Sequence, residues 1–419
     1  MKIRTSAALC AIALAAALVG EREAAAADAA PQTASSLTEA LTGGKLTFNL
    51  RPRYEHVEQD GKTDNADAFT NRTLLGWRTL PYHGFSLYAE AINVARIGDQ
   101  NYNDTPLAST VYPTVADPEN TDVNQLYLDY TGLPQTKIRA GRMSLKLDNV
   151  RYIGNVEFRQ VMQVFNGVLV ENRSLPDVEL QYAHFERVKN IYSLQRQTRT
   201  DLFRAAWTFR PDNQLVAFAY LQDQPNTGQA TGFADNSNRI VGVRANGAWP
   251  LSPAYKALYT AEYAKQDSYA DGDNRIDASY WRLGGGVQRD KLFVRFDHEH
   301  LGSNNGLYAF QTPLGTNHLF QGWVDLFLAT PAQGIRDSFV SGGATIAGVQ
   351  VYTEYHDLRS DVGGIRYGSE WDLGVTYAFT KQLTGKVEFG RFDEDDVLTP
   401  AGARKRDTTK LWVTAIYNW

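Results

Sequence analysis

The sequence predicts an all-β chain: an up-and-down antiparallel transmembrane β-barrel of about 18 strands, with long external loops, two of them folded into the lumen. Three observations predict it. From Lys45 onward, apolar and polar residues alternate with period two, which gives a strand two unlike faces. The connections between these segments are short and long in turn, as at the two rims of a membrane barrel. The chain also ends in LWVTAIYNW, where Leu411, Val413, Ala415, Tyr417 and Trp419 form one apolar row closing on an aromatic residue. Soluble domains more often fray into polar residues at that point.

Residues 1–27 read as a signal peptide. Lys2 and Arg4 supply a positive start, Ala7 to Val19 is unbroken apolar chain, and the small residues Ala24 to Ala27 offer a cleavage site near Ala27. The single cysteine, Cys10, lies inside this segment, so the expected mature chain has no thiol or disulfide chemistry. Residues 28–44 read as a short, mobile periplasmic lead-in, and 45–419 as the barrel domain.

The strands follow in order. KLTFNLRPRYEHV sets Leu46, Phe48, Leu50 and Tyr54 against Thr47, Asn49, Arg51, Arg53 and Glu55. NRTLLGWRTL opposes Thr73, Leu75 and Trp77 to Arg72, Gly76 and Arg78, and FSLYAEA opposes Phe85, Leu87 and Ala89 to Ser86, Tyr88 and Glu90. Similar segments start near residues 45, 69, 84, 123, 136, 165, 178, 200, 213, 238, 255, 277, 291, 335, 348, 367, 382 and 409. Long connections run near 58–68, 98–121, 145–164, 223–238, 301–334 and 393–408. An even strand count puts both termini on the short-turn, periplasmic side.

Composition removes other classes. No stretch after residue 20 holds about 18 consecutive apolar residues, so no helix is long enough to span a bilayer. A formal net charge of -5 is too mild to indicate a nucleic-acid partner. A soluble β-sandwich also alternates, but its dry core would not hold so many Arg and Glu. An outer-membrane hydrolase would need a nucleophile–base pair near one rim. The seven histidines are scattered, and no Gly-x-Ser-x-Gly occurs.

AGRMSLKLDNVRYIGNVEFRQVMQVFNGVLVEN, residues 140–172, resembles the alginate-export-type outer-membrane barrels. Members carry a glycine–arginine strand end, then an LDN-R-[FY]-hydrophobic-GN-hydrophobic-x-[FW]-RQ loop. Matching residues here are Gly141, Arg142, Leu147 to Asn149, Arg151, Tyr152, Gly154, Asn155, Phe158, Arg159 and Gln160. A second similar stretch is AFQTPLGTNHLFQGWVDLFLATPAQGIRDSF, residues 309–339. One departure is Asn166, where the family often has an acidic residue. The resemblance implies an 18-stranded barrel without a cofactor, passing an anionic polysaccharide such as alginate outward. Expected partners are outer-membrane lipid and lipopolysaccharide, the barrel assembly machinery and, through the resemblance, periplasmic polysaccharide-secretion components. The alternative is a diffusion porin of the same fold that takes up small anionic or aromatic solutes.

Strands about 4.8 Å apart, tilted about 40°, give such a barrel a diameter of roughly 36 Å. Something must narrow it. The 145–164 and 301–334 loops carry Tyr152, Ile153, Val156, Phe158, Phe310, Leu319, Phe320 and Trp323, which an exposed loop tip would not need. Both are expected to fold inward.

Parity assigns the lumen charges. The positive ones are Arg51, Arg53, Arg72, Arg78, Arg204, Arg244, Arg282, Arg295 and Lys386; the negative ones are Glu55, Glu90, Asp129, Glu262, Asp297, Glu299, Glu354, Asp372 and Glu388. Arg142, Asp148, Arg151 and Arg159 join them from the first loop and its approach. One reading is a wall of mutual ion pairs. The other is an arginine-lined constriction, since the planar guanidinium suits carboxylates and arginine rings select anions.

Weaker signals carry less. In DHEH, residues 297–300, the two histidines share one strand face and the two acids the other, so the four do not converge on a metal. FDEDD, residues 392–396, reads as a solvated acidic loop rather than a Ca²⁺ site. GGG, residues 284–286, lies within a strand, where it lets another group approach the wall closely.

Overall fold

Period-two alternation becomes a closed sheet in the computed structural model, which describes residues 33–104, 111–224, 235–395 and 406–419. Its strands are β1 (Lys45–Gln59), β2 (Ala66–Arg78), β3 (Phe85–Arg96), β4 (Asn120–Leu133), β5 (Thr136–Met143), β6 (Val164–Asn172), β7 (Val178–Lys189), β8 (Gln195–Arg210) and β9 (Asn213–Asp223). They continue with β10 (Asn238–Pro250), β11 (Tyr255–Ser268), β12 (Asp277–Arg289), β13 (Leu292–Leu301), β14 (Ile335–Ile346), β15 (Val349–Arg359), β16 (Arg366–Ala378), β17 (Leu383–Glu394) and β18 (Thr408–Asn418). Each pairs antiparallel with its sequence neighbours, and β1 also pairs with β18, which closes an 18-stranded barrel. The strand starts fall close to those expected; β8 departs most, beginning at Gln195 rather than near 200. The expected signal peptide lies outside the described residues, as do parts of three of the long loops and Asp396.

Which face points where follows from burial. Leu75, Val243, Tyr263, Phe296, Val340, Tyr355, Trp371 and Val413 are all exposed on the outer surface. A soluble sandwich would bury such a row; a barrel turns it to lipid. The inner face is polar and covered. Arg51, Arg53, Glu55, Arg72, Glu90, Asp129, Arg204, Arg244, Arg282, Arg295 and Glu354 are buried, with Arg78 left half-exposed.

What covers them is chain from the long loops. The segment between β5 and β6 and the one between β13 and β14 both enter the barrel. Gly154 N–H donates to the Leu314 carbonyl at 2.9 Å, Thr316 N–H to the Val150 carbonyl at 2.9 Å, and the Gln163 amide to Gly154 and Leu314 carbonyls. Tyr152 packs among Phe218, Tyr280 and Phe310. Trp323 stacks on Tyr352 of β15, with centroids 6.0 Å apart. Each such buried side chain contributes about 1.5–3 kcal/mol, so apolar packing carries much of the plug's hold on the wall. A third segment, between β3 and β4, also reaches in through the buried Val115, Ala116 and Asp117.

The lead-in holds a short helix, α1 (Leu37–Thr42), for which the alternation pattern offered no signal. Ser36 caps it by accepting from Glu39 N–H at 3.1 Å. It docks on the first short turn: Leu80 N–H donates to the Ala40 carbonyl and Ala34 N–H to the Pro81 carbonyl.

Candidate constriction

The constriction starts from β1, whose lumen row runs Asn49, Arg51, Arg53, Glu55 and Val57. At the short-turn end, Asn49 helps line a cavity of about 520 Å³, with Thr47, Leu74, Tyr88, Glu90 and Trp419. At the long-loop end, Val57 and Gln59 line a second cavity of about 370 Å³, with Arg159, His318, Asp325 and Lys410. The two share no lining residue. Arg51, Arg53 and Glu55 occupy the stretch of strand between them.

The first loop meets this stretch backbone first. Arg51 Nη1 donates to the Glu157 carbonyl at 2.8 Å and its Nε to Gln160 Oε1 at 3.0 Å. Arg53 Nη1 donates to the Phe158 carbonyl at 2.6 Å, and its guanidinium lies 4.3 Å over the Phe158 ring. Arg72, opposite Arg51 in the register, donates to Asn49 Oδ1 at 3.1 Å, while its Nε and Nη1 meet no hydrogen-bond partner among the described residues. None of these three arginines forms an ion pair among the described residues. Carbonyl dipoles meet them without cancelling their charge, and the nearest carboxylates, Glu157 and Asp117, act on Arg51 and Arg72 through space rather than in direct pairs.

Arg159 differs. It pairs with Glu55 at 2.9 Å and Asp325 at 2.6 Å. Lys410 Nζ lies 3.5 Å from Asp325, and His318 Nδ1 is 2.8 Å from its other oxygen. Burial alone would raise the Asp325 pKa, but His318, Lys410 and Arg159 hold it well below the usual carboxylate range. His318 stacks on Phe158 at 3.4 Å, and Phe158 meets the edge of Trp412. Arg151 is likewise tied, 3.2 Å from Glu299 and 3.0 Å from Gln321 Oε1.

The remaining lumen charges form local clusters around the wall. Asp148, at the loop's far end, lies 2.7 Å from Arg204 and 3.1 Å from Arg244. Burial would raise its pKa, but these arginines, Arg244 foremost, lower it. Arg282 and Arg295 both reach Asp297 at 3.0 Å. Gly284 makes room for that carboxylate: a Cβ there would sit 1.8 Å from Asp297 Oδ1. Asp129 takes Arg139 at 2.7 Å and Arg78 at 3.4 Å, and Glu90 takes Tyr88, Asn124 and Gln125. Glu354 receives the Tyr352 hydroxyl. Arg142 stands apart from the β1–β2 arginines, near the external end of β5. There it donates to Asn166 Oδ1 at 3.0 Å, so an amide accepts at the position where the family often carries an acid.

Four residues that complete the constriction escaped the sequence reading: Asp117, His318, Asp325 and Lys410. Asp117 Oδ1 accepts from Gln160 N–H at 2.7 Å. Lys410 was open to discovery, because it lies in the even-numbered row of β18 that must face inward if Leu411 and Val413 face lipid. The three loop residues have no such periodic signal.

A closed 18-stranded barrel with lipid-facing apolar rows and a charged, loop-narrowed lumen defines the class: an integral outer-membrane channel of the porin type. The sequence places it further. The alginate export family model matches residues 45–312, and the chain belongs to that family, one of channels rather than enzymes. No curated protein sequence matches the chain. Among solved structures, OccAB2 of Acinetobacter baumannii is similar with a TM-score of 0.69 at 13% identity, covering 91% of this chain and 99% of its own. OccK5 (OpdH) of Pseudomonas aeruginosa gives 0.65 at 13% identity, covering 90% and 97%. At that identity the likeness concerns the fold.

Proposed function

We propose that this channel passes an anionic, carboxylate-bearing solute, with an anionic polysaccharide of the alginate type as the leading substrate class. The observation that carries the reading is the group Arg51, Arg53 and Arg72, buried at the candidate constriction and forming no direct ion pair among the described residues. In a low-dielectric passage such charges concentrate anions, and guanidinium groups bind carboxylates in a two-pronged geometry. Membership of the alginate export family supports a polymeric uronate. Cavities of about 520 and 370 Å³ instead favour the second reading, uptake of small anionic or aromatic solutes, since small-ligand sites run about 300–1,000 Å³. Single-channel recording separates the two. Short oligouronates should block the current in a length-dependent way, while neutral oligosaccharides of equal length leave it unchanged. Block by small carboxylates alone would favour the second reading. Equal block by neutral sugars would remove the anionic claim.

A further inference from the structure

Away from the arginines, the wall of β14, β15 and β16 gathers acid. Asp337, Glu354, Glu370 and Asp372 are all buried there, around the single imidazole of His356. Glu354 and Asp372 are direct cross-strand partners, and like charges in that relation destabilise a sheet. Glu354 and His356 lie two residues apart on β15 and therefore share its lumen face. One ligand atom from each of Glu354, His356 and Asp372 lies within 4.8 Å of the other two.

Four acids meet one imidazole here, so even a protonated His356 leaves acid in excess. His356 Nδ1 is 2.9 Å from Asp337 Oδ2, which orients the ring. Its Nε2 then faces Glu354 Oε2 at 3.2 Å and Asp372 Oδ2 at 3.9 Å. With Nδ1–H donated to Asp337, Nε2 points at two carboxylate oxygens, and a metal ion bound there takes the place of the Nε2 proton. Among the described residues, Asp372 Oδ1 and Glu370 Oε2 are buried and meet no donor from another group, and the two carboxyl groups face each other closely enough to share one proton. Among the described residues, no lysine or arginine forms an ion pair with any of the four acids.

We propose that Glu354, His356 and Asp372 bind a divalent transition-metal ion of the Zn²⁺ class in the lumen wall. One imidazole nitrogen with two carboxylate oxygens is a Zn²⁺-type donor set, whereas Ca²⁺ and Mg²⁺ take oxygen. Asp337 supplies the carboxylate that commonly orients a metal-bound histidine from behind. The site lies directly under the second in-folded loop. Val324 N–H donates to Glu370 Oε1 at 2.7 Å, Trp323 stacks on Tyr352, and the Tyr352 hydroxyl donates to Glu354. Gly322, at φ +87, permits the approach, since a Cβ there would lie 2.2 Å from the Glu370 carboxyl carbon. A bound ion therefore stiffens the wall on which the plug rests.

The test uses the whole barrel, purified in detergent, stripped with chelator, incubated with Zn²⁺ or Co²⁺ and desalted. Elemental analysis should find about one Zn²⁺ per chain, and the Co²⁺-loaded wild type should show visible ligand-field bands. His356→Gln and Asp372→Asn should lose the ion while keeping heat-modifiable gel mobility, and Asp337→Asn should weaken binding by about 10–100-fold. Wild type that retains no ion and shows no Co²⁺ bands overturns the proposal, and the acids then share protons instead. A folded His356→Gln variant that retains the full amount also overturns it, because the ion then sits elsewhere.

Discussion

Arg159 and Arg72 show how two arginines in one lumen take different roles. Arg159 is buried against Glu55 and Asp325, so Arg159→Gln leaves carboxylates buried with fewer partners. Breaking a buried pair from one side costs about 3–5 kcal/mol, far more than an exposed pair is worth. That cost falls on the contact between the plug and β1. The expected result is a higher, noisier single-channel conductance, and an unchanged conductance would show that apolar packing alone holds the loop. Among the described residues, Arg72 makes one side-chain hydrogen bond, to Asn49, and no ion pair. Arg72→Gln should leave the plug in place and shift the reversal potential toward cations. The shift should be largest near 0.01 M salt, where the Debye length is about 30 Å. A salt-independent or absent shift would mean that Arg72 does not face the conducting path.

At the scale of elements, two features carry consequences. Val150 and Val156 hold φ of 59 and 51, a region that β-branched residues avoid. Thr316 from the other loop clamps both: its N–H donates to the Val150 carbonyl, and its hydroxyl accepts from Val156 N–H at 3.0 Å. Thr316→Val keeps the shape and removes the hydroxyl, leaving a partly buried N–H unpaired at a cost of about 1–3 kcal/mol. The two loops should then loosen together, seen as faster proteolysis within residues 145–164 of the folded barrel; unaltered digestion would contradict the clamp. The second feature is the seam. Trp419 N–H donates to the Phe48 carbonyl at 2.9 Å, and Phe48 N–H donates back at 3.0 Å. Deleting Trp419 removes this closing pair and an interfacial aromatic, so the yield of folded barrel should fall, and a normal yield would make the terminal row incidental. The same contrast explains what was legible in the sequence. Strand positions and inward charges such as Arg51 and Glu354 follow from a local period of two, so each residue reports its own face. The partners of Arg159 come from β1 and from separate loops, and no local pattern links them. Phe158 was recognisable as an inward anchor, but its stacking on His318 depends on how two loops meet.

For the molecule as a whole, the polar lumen and apolar belt require lipid outside and water within. The protein should fractionate with the outer membrane and migrate faster on a gel unheated than heated, whereas recovery as a soluble periplasmic protein would contradict the barrel. The wall charges are spread unevenly: arginines that form no ion pair among the described residues lie on β1 and β2 at the candidate constriction, and the acids of β14 to β16 lie beneath the second loop. The central claim is that the first group, not the second, sets what passes. The most direct measurement is the reversal potential of the wild-type channel in a planar bilayer under a salt gradient of a simple potassium salt. A potential on the anion side, growing as salt is lowered, is the predicted result. A potential on the cation side would show that the acidic wall governs the path, and the anionic-solute reading would fall with it.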